Sequence, residues 1–173
     1  MPEPLPLLID RMATPIGELV IIADDKGRLR AVDWSDHEPR MLQLLARHCG
    51  KGGYSLTRRR DPNGLATALR AYFKGDLSAI DTLPAETLGT DFQRAVWRQL
   101  RRIPCGKTIS YAELAHRVDR SRAVRAVGLA NGSNPISIVV PCHRVIGSDG
   151  SLTGYGGGMH RKQWLLEHER AIG

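Results

Sequence analysis

Asn134-Pro-Ile-Ser-Ile-Val-Val-Pro-Cys142-His143-Arg144-Val-Ile-Gly147 is the stretch from which the rest of the chain can be read. Residues 136–140 are almost all β-branched and apolar, which predicts a buried strand ended by Pro141. Cys142 then follows that strand at a proline break, with His143 and Arg144 beside it. Thiolate is the nucleophilic form of cysteine, and nearby His or Arg charge lowers a thiol pKa from about 8.5 into a useful range. Adjacent side chains on a regular strand point to opposite faces, so His143 can assist Cys142 only if the chain turns here, as Pro141 favours. A buried structural cysteine beside an unrelated histidine is the other reading, and the dipeptide alone does not decide between them.

Working back toward the N-terminus, residues 122 to about 132 read as a helix of unusual content. Ala123, Ala126, Gly128 and Ala130 are small, and Arg122 and Arg125 are its long polar side chains before Asn131. A helix that reads base sequence in the major groove carries several Asn, Gln or Arg side chains. This one lacks them, and small residues instead allow close backbone approach to a narrow groove, or plain packing against a core. A turn at residues 119–121 joins it to a shorter helix that ends near Arg117 and opens at Ser110-Tyr-Ala-Glu113, a capping-box pattern. Before that comes a longer helix with Thr90 as N-cap and Asp91 at its positive end. Phe92, Ala95, Val96, Leu100 and Ile103 form its apolar stripe, and Pro104 and Gly106 end it. Two short helices joined by a tight turn, after a longer one, match a helix-turn-helix.

The first half reads as mixed α/β. The runs 18–23 and 28–34 flank Asp24-Asp25-Lys26-Gly27, a hairpin signal. Met41, Leu42, Leu44 and Leu45 give one helical face, and Leu65, Leu69, Tyr72 and Phe73 another. Residues 76–87 contain Pro84 and show no periodicity, like a linker.

The 173 residues are 42% hydrophobic and 25% charged, which suits one or two small globular domains and excludes wholesale disorder. No apolar run approaches the roughly 20 residues of a membrane span. The start is acidic and proline-rich, so no signal peptide is expected and a cytoplasmic location is. Residues 1–89 hold 12 basic and 12 acidic residues, whereas residues 90–173 hold the other 13 basic and 6 acidic, so the net charge of +7 lies wholly in the second half. A basic module beside a neutral one suggests a polyanion partner. Cys49, Cys105 and Cys142 are an odd set with no metal-ligand spacing, which predicts free thiols and neither a disulfide framework nor a metal site.

Pro141-Cys142-His143-Arg144-Val145, with Asn134-Pro135 before it and Gly154-Tyr155-Gly-Gly-Gly158 and Lys162-Gln-Trp-Leu-Leu-Glu-His-Glu169 after it, closely resembles the O6-alkylguanine-DNA alkyltransferase family, and most of all its bacterial Ogt-type members. The resemblance is strong over residues 90–169 and looser before them. It implies a methylated-DNA–protein-cysteine S-methyltransferase activity that moves the alkyl group of O6-alkylguanine, and by extension O4-alkylthymine, in double-stranded DNA to Cys142. The thioether is stable, so each molecule would act once.

The same resemblance implies roles. His143 would be the base for Cys142 through a water, oriented by Glu169. Asn134 would hold the backbone of the active-site turn, and Tyr111 would donate to the guanine ring nitrogen. The carbonyls of Cys142 and Val145 would accept from the exocyclic amine, while Tyr155 and Gly156 would line the pocket. Arg125 would fill the stack after the nucleotide flips out, on a helix whose Ala123, Ala126 and Gly128 permit close approach to DNA. Some relatives hold zinc in the N-terminal domain, and no ligand set for it is found here. Others carry an additional methyl-accepting regulatory region, and that role is not expected here. Gly156 stands where some relatives have Ser, and Cys105 reads as structural.

The expected fold is therefore an α/β domain over residues 1–80, a small sheet with helices of ribonuclease-H-like type. A linker at 81–89 follows, then a winged-helix-like helix-turn-helix domain over 90–173 that carries the site. A monomer without cofactor is expected. Two rival readings are a DNA-binding regulator without chemistry, against which Cys142 speaks, and a cysteine hydrolase, which leaves the basic half unexplained.

Overall fold

A computed structural model describes residues 3–50 and 52–171. The chain divides into two compact units, Met1–Leu88 and Gly89–Gly173.

In the first unit, β2 (Gly17–Asp24) and β3 (Leu29–Trp34) form the expected antiparallel hairpin. Asp24 organises its turn by accepting from the backbone N–H groups of Lys26 (3.0 Å) and Arg28 (2.9 Å). Two further strands complete the sheet, in the order β3-β2-β1-β4. β1 (Leu5–Thr14) runs antiparallel to β2, and β4 (Tyr54–Arg58) runs parallel to β1 after the crossover helix α1 (Glu38–His48). Sequence periodicity missed both strands, because prolines interrupt the start of β1 and β4 is largely exposed. Met41 and Leu45 of α1 pack on Leu7, Val20, Ile22 and Ala31, with Cys49 against the same cluster. α2 (Leu65–Phe73) buries Leu65, Leu69 and Tyr72 and packs near β1.

The linker expected at 81–89 is corrected in part. Leu29 donates its N–H to Pro84 O (2.8 Å) and accepts from Glu86 N–H (2.9 Å), so Pro84–Glu86 bridges to the first residue of β3, and the first unit runs on to Leu88. Hydrogen bonding of an extended, aperiodic segment leaves no pattern in its side chains, which is why it resembled a linker.

The second unit opens with α3 (Asp91–Leu100), where Thr90 and Gln93 form a reciprocal capping box. α4 (Tyr111–Arg117) and α5 (Val124–Gly132) follow, joined through Asp119 at φ +57°. Ser110 caps α4 by accepting from Glu113 N–H, but the Glu113 carboxylate turns to Arg117 (3.1 Å) instead of completing the box. The Trp97 indole N–H donates to Ala130 O (2.9 Å), fixing α3 against the last turn of α5. β5 (Ile109–Ser110) pairs in parallel with β6 (Val145–Ile146), and α6 (Met159–His168) closes the unit.

The strand expected at 136–140 does not form. Val140 N–H reaches back to Ile136 O (3.1 Å) around a tight turn that holds Ile138 at φ +73°. A buried β-branched residue in the left-handed region is a strained conformation, costing on the order of 1–3 kcal/mol. Asn134 stabilises it from within. Its amide donates to Val140 O (2.7 Å) and Ile136 O (3.2 Å), and its oxygen accepts from Ile136 N–H (3.0 Å).

Candidate active site

The Asn134-braced turn delivers Cys142 onto a single 3-10 turn, Cys142–Arg144, instead of the end of a strand. This resolves the geometric objection to a Cys-His pair, because successive side chains of a turn do not alternate between faces as they do along a strand. Cys142 is 7% exposed and His143 wholly buried.

His143 Nε2 lies 2.9 Å from Glu169 Oε2, at the C-terminal end of α6. Arg144 grips the same carboxylate twice, Nε to Oε1 at 2.8 Å and Nη2 to Oε2 at 3.0 Å, and donates Nη1 to Ile103 O at 2.7 Å. Burial alone would raise the Glu169 carboxyl. The His143 and Arg144 partners outweigh it and hold Glu169 well below the usual carboxylate range, so it is ionised. Burial pushes the His143 imidazole below its ordinary value despite Glu169, so it is neutral near pH 7. An ionised Glu169 accepts, so Nε2 carries the proton and Nδ1 bears the lone pair. That Nδ1 is buried and has no hydrogen-bond partner among the described residues.

The β5–β6 pairing sets Ser110 opposite Ile146, which brings Tyr111 at the start of α4 beside the cysteine turn. The Tyr111 hydroxyl donates to Thr153 O (2.9 Å). Burial, against the lowering effect of that bond, raises the phenol above its ordinary value and keeps it protonated. Gly154 sits at φ +69°, which favours glycine, and a Cβ there would press on the Tyr111 hydroxyl at 3.2 Å, closer than ordinary contact. Tyr155 is buried, and Gly156 lies in the tight turn closed by Gly158 N–H to Tyr155 O (3.1 Å).

Two contributors escaped the sequence reading. Lys162 is fully buried and donates Nζ to Val145 O (2.6 Å) and Thr153 O (2.7 Å), with the Tyr111 ring 5.8 Å away. Burial lowers its pKa to about 8, partly offset by attraction to Cys142. The available signal was a lysine seven residues before Glu169, hence on the same buried face of α6. Asn131, in the last turn of α5, donates Nδ2 to Cys142 O at 3.4 Å and so ties that helix to the cysteine. Cys142 O also accepts the N–H of Val145. Val145 O in turn accepts from Lys162 Nζ, so both carbonyls that the sequence assigned to a ligand amine already hold a partner.

The small residues of α5 do not share one face. Arg125 and Ala126 are exposed, and Ala123 is half-buried at the N-cap. Gly128 instead turns toward α4, where its Cβ position is 3.8 Å from the Tyr111 ring. Among the described residues no group of His, Cys, Asp and Glu side chains could hold a metal ion, and no helix is long and apolar enough to cross a membrane.

A helix-turn-helix unit in which a nearly buried Cys142 precedes a buried His143–Glu169 pair, in the same chain as a small four-stranded α/β unit, defines the class of protein. Residues 91–171 match the family described as the 6-O-methylguanine DNA methyltransferase DNA binding domain, and residues 8–87 match its ribonuclease-like domain. The chain is 57% identical over 165 residues to the methylated-DNA–protein-cysteine methyltransferase of Shigella flexneri, covering 95% of this chain and 96% of that one. It is 53% identical, over the same shares, to the protein of that name from Salmonella typhimurium. A solved structure of Mycobacterium tuberculosis OGT in complex with DNA superposes with a TM-score of 0.77 at 38% identity, covering 96% of this chain and 94% of that one. This chain belongs to the 6-O-methylguanine DNA methyltransferase family.

Proposed function

We propose that the protein repairs alkylated double-stranded DNA by direct reversal, transferring the alkyl group of O6-alkylguanine to Cys142 Sγ in one irreversible turnover. The observation that carries this reading is the Cys142 turn itself. A nearly buried thiol precedes a neutral imidazole whose Nδ1 lone pair is unengaged and whose Nε2–H is fixed by an ionised carboxylate.

The chemistry balances within the site. The Sγ–C bond forms as the C–O6 bond breaks, and the thiol proton passes to His143 Nδ1, directly or through one water. Glu169 stabilises the imidazolium so formed, and Arg144 keeps Glu169 ionised and oriented. Tyr111, held as a protonated phenol, exchanges Thr153 O for a ring nitrogen of guanine as negative charge leaves with the base. Val145 O accepts from the exocyclic amine, and the Tyr155–Gly158 turn walls the pocket. Lys162 adds positive charge near the thiolate, and Asn134 and Asn131 keep the cysteine turn rigid.

A duplex hides the guanine O6 from a buried thiol, so the nucleotide is flipped out at a cost of a few kcal/mol. Arg125 is exposed on α5 and makes no ion pair or hydrogen bond among the described residues, which suits it to fill the vacated stack. The protein acts as a monomer, one molecule per lesion. A reduced cytoplasm, where both DNA and free thiols persist, is the compartment this chemistry needs.

The test is to incubate the protein with a duplex containing O6-methylguanine and measure its mass. Gain of one methyl group on the peptide containing Cys142, absent from Cys142→Ser, is expected. Repeated turnover, or tight DNA binding with no mass change, would overturn the reading.

A further inference from the structure

The large apolar side chain most exposed among the described residues lies on the outer face of α5. Leu129 is 71% exposed, against 40% for the next, Leu88. Single exposed leucines are common and by themselves mean little. The surroundings of this one are specific. It lies four residues after Arg125, one helical turn further along the same face. Arg122 and Arg125 are both exposed, and neither has an ion pair or hydrogen bond among the described residues. Ala126, between Arg125 and Leu129 in the sequence, is small and exposed and leaves the leucine open on that side.

The mounting is also firm. The Leu129 carbonyl accepts from both the N–H (3.0 Å) and the hydroxyl (2.8 Å) of Ser133, and the next carbonyl, that of Ala130, holds the Trp97 indole. A long apolar side chain on a doubly anchored turn, with two free guanidinium groups four and seven residues before it, fits one occupant. That occupant is the groove of a nucleic acid duplex, with phosphates for the arginines and base edges for the leucine.

We propose that Leu129 is an apolar wedge that enters the minor groove one turn from Arg125 and packs against the base pair beside the vacated position, prolonging the flipped-out state. The inference rests on the DNA-directed reading above and adds to it a second, uncharged contact that sets how long the lesion stays available to Cys142. Minor-groove proteins insert Leu, Ile, Met or Phe between base steps in this way, partly unstacking them. The wedge needs length and apolar character but no particular branching, so methionine should replace it and serine should not.

Two measurements test this. Alkyl transfer from an O6-methylguanine duplex and from free O6-benzylguanine, which requires no flipping, is timed for wild type, Leu129→Ser and Leu129→Met. The serine variant is expected to slow duplex repair about tenfold, the gain forfeited when one leucine is no longer buried, with the free base unaffected and methionine within about twofold of wild type. Wild-type duplex rates for Leu129→Ser, or equal loss on both substrates, would overturn the wedge. The second measurement needs no chemistry. In the Cys142→Ser background, 2-aminopurine placed beside the lesion should brighten on binding with Leu129 present and stay dim in the Leu129→Ser double variant. Equal brightening would overturn the wedge, whereas failure of the wild type to take alkyl from either substrate would overturn only the alkyl-transfer reading.

Discussion

Asp24 in the first unit and Glu169 in the second are both buried carboxylates gripped by two basic side chains. Asp24 accepts from Arg28 Nε (2.8 Å) and Arg30 Nε (2.9 Å), and from two backbone N–H groups of the hairpin turn. Burial would raise its carboxyl, but those donors outweigh it and leave it below its ordinary value. Glu169 is held to the same effect by Arg144 and His143. The difference lies in the partners. Every donor to Asp24 keeps its proton at any physiological pH, so the cluster can only fasten the turn. One partner of Glu169 is an imidazole with a second, unengaged nitrogen, beside a thiol. A buried ion cluster becomes chemistry when one member can change protonation state and the change is coupled to a nucleophile.

The largest effect should come from neutralising the two carboxylates separately. Removing one partner of a buried ion pair costs about 3–5 kcal/mol, so Asp24→Asn and Glu169→Gln should both lower the denaturation midpoint. Only Glu169→Gln should slow methyl transfer by the folded protein, by about 10²- to 10⁴-fold, the usual worth of general acid–base assistance. Single-turnover rates well below the melting transition read the two apart. Slow transfer by folded Asp24→Asn would erase the distinction.

A smaller effect separates the clusters by pH. Both carboxylates have folded pKa values below their unfolded ones, so their stabilisation is present above about pH 4 and is lost as pH falls toward the folded values. His143 is also depressed in the folded state. The unfolded chain therefore binds its proton first, and stability starts to fall below about pH 6.5, before either carboxylate titrates. Replacing His143 with Gln should lessen the slope of the stability curve between about pH 6.5 and 5, leaving the part due to His48, which burial also depresses, while Asp24→Asn should leave that stretch unchanged. Urea midpoints across this range check it, and parallel curves for wild type and His143→Gln would contradict a buried neutral imidazole.

The same contrast explains what could be read from the sequence. The hairpin, the α1 and α2 faces and the three helices α3–α5 follow from local periodicity, turn residues and caps, which side chains report directly. β1, β4 and the Pro84–Glu86 stretch depend on backbone pairing between distant segments, which leaves little trace in composition. At the site, Cys142, His143 and Asn134 stood out because they cluster in fourteen residues around a proline break. Residues 136–140 misled, since a β-branched apolar run reads as a strand, while the Asn134 amide supplies three hydrogen bonds that fold it into a turn. Lys162 was hidden because its stem lies among the buried residues of α6 and its charge is met by carbonyl oxygens, whose positions no side-chain pattern reports.

The smallest effect concerns Gly128, read from the sequence as a residue that lets DNA approach α5. Its Cβ position faces the Tyr111 ring at 3.8 Å, an ordinary packing distance, and its φ is not among the positive ones. Alanine therefore fits without displacing Tyr111, and an interior helical glycine gives up about 0.5–1 kcal/mol relative to alanine. Gly128→Ala should raise the melting temperature slightly and leave transfer from both duplex and free alkylguanine unchanged. If duplex repair slows while the free base reacts normally, close approach of DNA to this position is needed after all. Ala126, on the exposed face with Arg125, supplies the sharper arm of the comparison. A bulkier side chain there should hinder the duplex substrate and spare the free base, because it obstructs the groove-facing surface without touching the pocket.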